Sequence, residues 1–305
     1  MSGPAGAPAR LTQPRILLPL LLISLIWGST WIVIRDQIST IAPAWSVTWR
    51  FTLAGIAMLL LGWFRGENMA VPRAVWPLLA VMGVLQFSLN FNLVYASEAY
   101  ITSGIVAVIF AALIIPNSLL SRWFLGTHFD RRFVAGAAIA LAGIGLMLLH
   151  EARGIGADPS RAWTGVTLAC MAVMAASVSN VLQASGSLRR LSPFALLGWA
   201  MVAGSIANGA WAWFVAGPPM LPQQGAYIAG LFYLAIIGSV VTFPLYFALI
   251  RDIGAGPAAW SSVLVPIIAM AISTLAEGYV WSPLSLAGAL LALIGLVIAL
   301  AAPRS

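Results

Sequence analysis

The sequence contains no lysine, and all fifteen of its basic residues are arginine. A Walker A loop for ATP requires a lysine, so this device is excluded and ATP is not an expected partner. Only two histidines are present, His128 and His150, and both fall in predicted loops. His150-Glu151 begins like the H-E-x-x-H zinc motif, but Gly154 occupies the second histidine position. Because a G-x-S-x-G segment is also absent, the sequence argues against an enzyme and predicts no metal site and no cofactor.

Charge of either sign is scarce. Only 8% of the 305 residues are charged and 61% are hydrophobic, whereas soluble domains carry about 25% charged residues. Since a soluble fold could not cover its surface with so few charges, the chain needs an apolar solvent, and the lipid bilayer is its expected partner. The arginines lie singly or in pairs between apolar runs and form no basic stripe, which argues against a nucleic-acid partner.

Long apolar runs dominate what is present. A helix needs about 20 apolar residues to cross the hydrocarbon core of a bilayer. Ten such stretches occur, at residues 16–34, 44–64, 75–95, 102–124, 133–149, 163–184, 194–215, 226–249, 255–275 and 284–301. The first is longer than the apolar core of a signal peptide, about 7–15 residues, and is interpreted as a retained span. The sequence therefore predicts an all-α membrane protein with ten transmembrane helices.

The distribution of arginine predicts the orientation of these spans. If the N-terminus is cytoplasmic, eleven arginines fall on the cytoplasmic side and only Arg35, Arg153 and Arg161 on the opposite side. An excess of basic residues in cytoplasmic loops is typical of inner-membrane proteins. We therefore expect a multi-pass protein of the inner (plasma) membrane with both termini in the cytoplasm.

The two halves of the chain resemble each other. Residues 104–116 and 254–266 each run twelve positions from a glycine to a proline. Each is followed by a small-residue helix with two glycines seven positions apart: Gly136 and Gly143 in the first half, Gly288 and Gly295 in the second. The repeat is five spans long, and an odd number of crossings inverts the second copy. The sequence thus predicts two inverted five-helix repeats, residues 1–154 and 155–305, a mark of secondary transporters.

These features resemble the drug/metabolite transporter superfamily, and specifically its EamA-type carriers with ten helices. The resemblance is carried by Trp27-Gly28-Ser29 in the first span, by the small residues before Pro116 and Pro266, and by the repeated glycine spacing. It covers nearly the whole chain. Members usually have Leu-Gly-Glu after the fourth span, where this chain has Leu125-Gly126-Thr127. Within the family the chain is most similar to bacterial exporters of aromatic amino acids, the YddG-like group, which implies a similar substrate.

Polar side chains inside the spans are candidates for a substrate site, because such residues face the bundle interior or a water-filled cavity. Gln86 and Asn90, four residues apart, share one face of the third span, and Tyr95 lies on another. The candidate substrate-binding residues are Trp27, Gln86, Asn90, Tyr95, Asn180, Gln183, Thr242, Tyr246 and Trp260. The alternative, that these groups form hydrogen bonds that only hold helices together, stays open.

Pro116 and Pro266 lie inside spans, where each removes a backbone hydrogen bond. Together with Gly104 and Gly254 they are predicted hinge or gating positions, with a static kink as the alternative. Arg50 lies inside the second span and is interpreted as snorkelling to the interface or pairing with a carbonyl. A contact between Arg50 and a substrate carboxylate is the alternative.

The predicted cavity is uncharged and is lined by amide and aromatic side chains. Glu98 and Glu277 fall near span ends, and no acidic residue lies at mid-membrane. This favours a neutral or zwitterionic small-molecule substrate with an apolar part. We expect a secondary transporter, functional as a monomer, that exports such metabolites by alternating access, with aromatic or hydrophobic amino acids as the expected substrates. The alternatives are a channel-like pore, although charged rings and filter loops are absent, and a carrier of another metabolite or drug class.

Overall fold

The computed structural model describes residues 13–125, 131–154, 159–184, 186–220, 223–253, 258 and 260–301. This part of the chain is helical and contains no β-strand. Its principal helices are α1 (Pro14–Ile38), α2 (Pro43–Phe64), α3 (Arg73–Glu98), α4 (Ser103–Phe124), α5 (Arg131–Gly154), α6 (Pro159–Gln183), α7 (Pro193–Ala216), α8 (Gly225–Ile250), α9 (Ser261–Ala276) and α10 (Pro283–Ala301). The all-α prediction is confirmed for these residues.

Helices α1 to α8 are long and apolar enough to cross a membrane. Helix α9 has 16 residues, and both α9 and α10 count as shorter apolar helices. Eight of the ten predicted spans are therefore matched in length and composition, whereas the ninth and tenth remain predictions. Five of the helices begin at a proline. The fixed φ of proline suits the first helical turn, and its lack of an N–H costs nothing there, because N–H groups in the first turn have no acceptor within the helix.

Equivalent helices of the two halves pack against each other in antiparallel pairs. In the α5–α10 pair, a Cβ atom added to Gly143 would collide with the backbone of Gly288 and Ala292, and one added to Gly136 would collide with that of Gly295 and Ala299. The early residues of α5 thus meet the late residues of α10. Because only glycine lets two helix backbones approach this closely, the repeated glycines mark this crossing.

The α2–α7 and α4–α9 pairs have the same arrangement. Gly55 lies against Val202 and Gly62 against Phe194, so α2 runs antiparallel to α7. In the other pair, Gly104 at the start of α4 lies against Ser273 near the end of α9. Three helices of the first half are thus antiparallel to their counterparts five helices later, which is the geometry of an inverted repeat. The boundary between 154 and 155 stays a prediction, because residues 155–158 lie outside the described residues.

The two largest buried apolar clusters form most of the core. The larger joins α2, α3, α7 and α8, and the second joins α4, α5, α6 and α9. Trp31 on α1 and Phe110 on α4 pack against both clusters. The space next to these two aromatic side chains is where the candidate site lies.

Candidate functional site

A cavity of about 210 Å³ lies between the two halves of the chain. Helices α1 to α4 supply most of its lining, α8 supplies Gly238, Ser239 and Phe243, and α6 and α9 supply one residue each. Seven of its lining side chains are aromatic: Trp27, Trp31, Phe51, Phe87, Phe91, Phe110 and Phe243. Aromatic walls with a few polar groups are typical of small-molecule sites.

Helices α3 and α8 each contain a π-helical segment at this cavity. The segments are Leu85–Leu89 and Tyr233–Val241, and Gln86 and Gly238 within them line the cavity. Widening of the helix leaves backbone carbonyls to be satisfied in other ways, and the Gly238 carbonyl accepts a hydrogen bond from the Trp27 indole at 3.3 Å. π-Helical turns occur frequently at functional sites.

Arg50 is the charged residue of the cavity lining. Its side chain is only 4% exposed, and its guanidinium carbon lies 4.5 Å from the ring centroid of Phe91 and 5.0 Å from that of Phe51. Neither Nε nor Nη1 has a hydrogen-bond partner among the described residues. The interpretation of Arg50 as snorkelling is wrong, because the side chain is buried against aromatic rings inside the bundle.

Two amide oxygens of the cavity are also without donors. These are Gln86 Oε1 and Asn90 Oδ1, which are buried and receive no hydrogen bond within the described part of the chain. The Asn90 amide nitrogen donates to the Gln86 carbonyl at 3.3 Å, which directs one end of the side chain to the helix. Side chains that carry guanidinium donors and amide acceptors therefore line the cavity together with the aromatic rings.

A buried amide network lies behind the cavity. Asn208 on α7 donates to the Ala44 carbonyl at 2.7 Å and to Thr48 Oγ1 at 2.9 Å. Its Oδ1 accepts from Ser88 at 2.8 Å and from Asn92. These bonds join α2, α3 and α7, so on this face of α3 the polar groups hold helices together.

One end of the bundle is closed by a cluster of charged and hydroxyl groups. The Glu277 carboxylate accepts hydrogen bonds from the Ser103 backbone N–H at 3.2 Å and from its hydroxyl at 2.5 Å. Arg35 Nε lies 3.6 Å from Glu277 Oε1, so the cluster joins α1, α4 and the end of α9. Glu98 is fully buried nearby, and neither of its carboxyl oxygens has a hydrogen-bond partner among the residues that the structure describes.

A larger groove of about 500 Å³ lies between α4, α5, α9 and α10. Aliphatic side chains form nearly all of its lining. Its polar members are Thr274 and Trp281, and the Trp281 indole donates to the Thr274 hydroxyl at 2.9 Å. Because this groove offers a polar ligand so few groups, the aromatic cavity is the better candidate site.

The sequence matches the EamA-like transporter family twice, over residues 15–149 and over residues 163–301. The chain belongs to this family. The double match agrees with the antiparallel pairing of equivalent helices. Membership makes the chain a membrane transporter, and members of this family are not enzymes.

Several named relatives align with nearly the full length of this EamA-family chain. Protein PagO of Salmonella typhimurium is 26% identical over 284 residues, 92% of this chain and 91% of PagO. A probable terminal-alkyne amino-acid exporter of Streptantibioticus cattleyicolor is 25% identical and covers 92% of this chain and 91% of its own length. The inner membrane transporter YedA of Escherichia coli K12 is 28% identical over 82% of this chain and 79% of its own.

A solved crystal structure has the same fold. It superposes with a TM-score of 0.67 at 19% identity and covers 94% of this chain and 97% of its own. Together with the named relatives, the apolar helices identify a multi-pass inner-membrane protein.

Three of the nine predicted substrate-binding residues line the cavity, namely Trp27, Gln86 and Asn90. Tyr246 is next to them, because its ring centroid lies 5.1 Å from that of Trp27. Trp260 packs with Tyr246 in a separate apolar cluster around the start of α1. Neither of these two side chains lines the cavity itself.

The other four predicted residues lie elsewhere. Tyr95 is buried and donates to Gln37 Oε1 at 2.8 Å, and Thr242 donates to the Ile237 carbonyl within α8. On α6, the Asn180 amide donates weakly to Asn117 Oδ1 on α4 at 3.4 Å. Gln183 is half-buried near the end of α6 and does not line the cavity.

The predicted hinge residues occupy different settings. Helix α4 is interrupted at Ala112 and Leu113, just before Pro116, and the Ala112 carbonyl accepts from Ile115 N–H three residues later. Helix α9 continues through Pro266 without interruption. Gly104 packs against α9, and Gly254 lies outside the described residues. A hinge role for these residues stays a prediction.

The sequence reasoning missed the phenylalanines and gave Arg50 a substrate contact only as the alternative interpretation. It searched the spans for polar side chains, so Phe51, Phe87, Phe91, Phe110 and Phe243 had no reason to be selected. A phenylalanine in an apolar helix is indistinguishable by composition from one that faces lipid. The available signal was the rarity of an intramembrane arginine, which by default indicates a functional site.

Proposed function

We propose that this EamA-family chain is a secondary carrier that exports small neutral or zwitterionic metabolites by alternating access. Aromatic and hydrophobic amino acids are the proposed substrates. The observation that carries the proposal is the cavity between the two halves, which is lined by seven aromatic side chains. Arg50, Gln86 and Asn90 also line it, and each has a polar atom without a hydrogen-bond partner among the described residues. One chain forms this lining, which supports a functional monomer.

The size and chemistry of the cavity support this substrate class. Its volume of about 210 Å³ is smaller than the pockets of drug-sized ligands, which start near 300 Å³. Aromatic walls favour an apolar or aromatic side chain, because ring pairs add about 0.5–1.5 kcal/mol beyond simple burial. The relative from Streptantibioticus cattleyicolor, named as a probable amino-acid exporter, supports the same class.

The two ends of the bundle support alternating access. At the predicted non-cytoplasmic end, Glu277, Ser103 and Arg35 join three helices. At the predicted cytoplasmic end, a pocket of about 640 Å³ lies between α2, α7 and α8. Phe243 lines the central cavity and Phe247 lines this pocket, and their stacked rings lie 6.5 Å apart between the two spaces. Moving these aromatic side chains is the proposed step that opens the site to the cytoplasm.

Counterflow in proteoliposomes tests the carrier against the channel. We expect labelled L-phenylalanine to enter with saturable kinetics and to enter faster when unlabelled phenylalanine is inside. A carrier shows this trans-stimulation because the loaded form reorients faster than the empty one. Unsaturable flux without trans-stimulation would support the channel instead. Saturable flux of other metabolites alone would leave a carrier with a different substrate class.

The proposed orientation, with both termini in the cytoplasm, predicts the outcome of reporter fusions. Fusions after Gly66 and Ser187 are expected to report the cytoplasm, and a fusion after Gln223 the opposite side. The loops and ends rich in arginine stay inside because basic residues are not readily translocated. Reporter activity at the reversed locations would contradict this orientation without affecting the fold.

A further inference from the structure

We infer that Arg50 is the carboxylate-binding residue of the carrier, so that substrates must bear a carboxylate. This inference rests on the proposed transport function and sharpens it to one chemical class, amino acids with an apolar side chain. It makes Arg50 the residue that separates these substrates from amines of the same shape.

The position of Arg50 is the first argument. A guanidinium buried inside a bundle is unfavourable unless it is paired, and breaking such a pairing is strongly destabilising. Here the guanidinium lies against the Phe51 and Phe91 rings, and Nε and Nη1 have no protein acceptor in the described part of the chain. The planar fork of a guanidinium matches a carboxylate with two parallel hydrogen bonds. Nε and Nη1 are themselves buried, but Arg50 lines the cavity, so a ligand that turns the side chain toward this space can supply those acceptors.

Glu98, the acidic residue near Arg50, forms no hydrogen bond with the guanidinium. Glu98 and Tyr95 are close enough to interact electrostatically with the guanidinium. Both carboxyl oxygens of Glu98 nevertheless lack a hydrogen-bond partner among the described residues. The Tyr95 hydroxyl donates to Gln37 and also pairs with the guanidinium, but Nε and Nη1 stay without a partner. The guanidinium is therefore not taken up by a carboxylate from the described part of the chain, and a substrate carboxylate has no such competitor for Nε and Nη1.

The opposite group of an amino acid also has partners. Gln86 Oε1 and Asn90 Oδ1 accept no hydrogen bond from the described residues, and both side chains line the cavity. An ammonium group is a donor of three hydrogen bonds and matches such acceptors. Aromatic faces attract a cation as well. A zwitterion thus satisfies both sets of groups, whereas an amine would leave the buried guanidinium without its partner.

Three ligands of one shape test the inference on the purified protein in detergent. L-Phenylalanine has both charged groups, 3-phenylpropionate lacks the ammonium, and phenethylamine lacks the carboxylate. By calorimetric titration we expect wild-type protein to bind phenylalanine most tightly, 3-phenylpropionate less tightly and phenethylamine weakest. Arg50→Gln is expected to weaken phenylalanine and 3-phenylpropionate about 10- to 100-fold, the range for a charge-assisted hydrogen bond, and to leave phenethylamine unchanged.

Arg161→Gln is the matched control, because the Arg161 guanidinium also lies over a ring, that of Tyr100 at 5.8 Å, but outside the cavity. It should bind all three ligands like wild type. Arg50→Lys keeps the charge without the fork and should recover part of the phenylalanine affinity. If Arg50→Gln does not fold, the order of the three ligands on wild type and the Arg50→Lys result decide the question.

The outcomes separate this inference from the proposed function. Wild-type affinity of Arg50→Gln or Arg50→Lys for phenylalanine, or equal binding of phenylalanine and phenethylamine to wild type, would overturn the role of Arg50. If phenylalanine counterflow persisted in either case, transport would stand without this anchor. If wild type bound none of the three ligands and transported no amino acid, the substrate class and the inference would both be wrong.

Discussion

The α5–α10 pair and the central cavity are both formed by the two repeats, but the pair is closely packed whereas the cavity leaves space between helices. At the pair, glycines bring two helix backbones together so closely that a single added carbon atom would collide. At the cavity, α3 and α8 widen into π segments, and polar atoms of Arg50, Gln86 and Asn90 lack partners in the described residues. Close packing is the state in which a core gains most from dispersion contacts.

The difference shows that one part of the inverted repeat provides stability and another part provides the binding site. Small residues make the α5–α10 pair a closely packed unit that cannot be rearranged without separating the two backbones. The cavity keeps unfilled hydrogen-bonding capacity, which destabilises a protein that has no ligand but gives a ligand something to bind. A mutation at the first region should therefore change stability, and one at the second should change binding or transport.

The largest expected effect is on the α5–α10 pair. Gly143→Ala places a methyl group against the backbone of Ala292 and Gly288, so the two helices must separate. We expect a loss of about 3 kcal/mol in the free energy of unfolding, measured by denaturant titration in detergent. Gly145→Ala is the control two positions away, where an added Cβ meets nothing within 4 Å. It should be neutral or stabilise by up to about 1 kcal/mol, and an equal loss in both variants would contradict close packing as the cause.

The amide network behind the cavity tests where the rigid part ends. Asn208→Ala removes bonds to Ser88, Asn92, Thr48 and Ala44. Because interhelical hydrogen bonds in membranes average about 0.6 kcal/mol, we expect a loss of about 2 kcal/mol in unfolding free energy. Ligand affinity should stay near that of wild type. Unchanged stability with weakened binding would move this network into the site.

The control for the network is Thr164→Ala. The Thr164 hydroxyl is exposed and bonds to the Ser160 carbonyl in its own helix. Its replacement should change the free energy of unfolding by less than about 0.5 kcal/mol.

The smallest expected effect separates two amides that sequence reasoning treated alike. Gln86→Ala removes an acceptor from the cavity, whereas Asn180→Ala removes only a weak bond to Asn117 outside it. We expect kcat/KM for phenylalanine to fall about tenfold in the first variant and less than about twofold in the second, with thermal unfolding unchanged in both. Initial rates in proteoliposomes with matched protein content measure this. Equal losses would place Asn180 on the transport path after all.

Hydropathy located the first eight helices well, because burial in lipid requires apolar length whatever the tertiary contacts. The glycine repeat was equally readable, since close helix crossings need small residues. The site was readable only in part. Trp27, Gln86 and Asn90 line the cavity, whereas Tyr95 and Asn180 have partners on other helices.

Helical periodicity explains part of this limit. A π turn adds a residue, so the side chains beyond it are rotated by about 100° from the positions that a regular α-helix predicts. On α3 the cavity residue Gln86 lies within the π segment Leu85–Leu89, and Asn92 and Tyr95 follow this segment. Counting every 3.6 residues from the sequence cannot include a turn that forms only through tertiary packing.

The sequence by itself determined that this chain must be surrounded by lipid, that it contains an internal repeat, and that helices of the two repeats cross at glycine residues. These properties follow from composition and spacing, which act wherever the helices pack. Only the tertiary structure decided which faces turn inward, and with them the aromatic cavity and the position of Arg50. The reason is that a side chain in an apolar helix has the same local surroundings whether it faces lipid, a neighbouring helix or a substrate, until the other helices are in place.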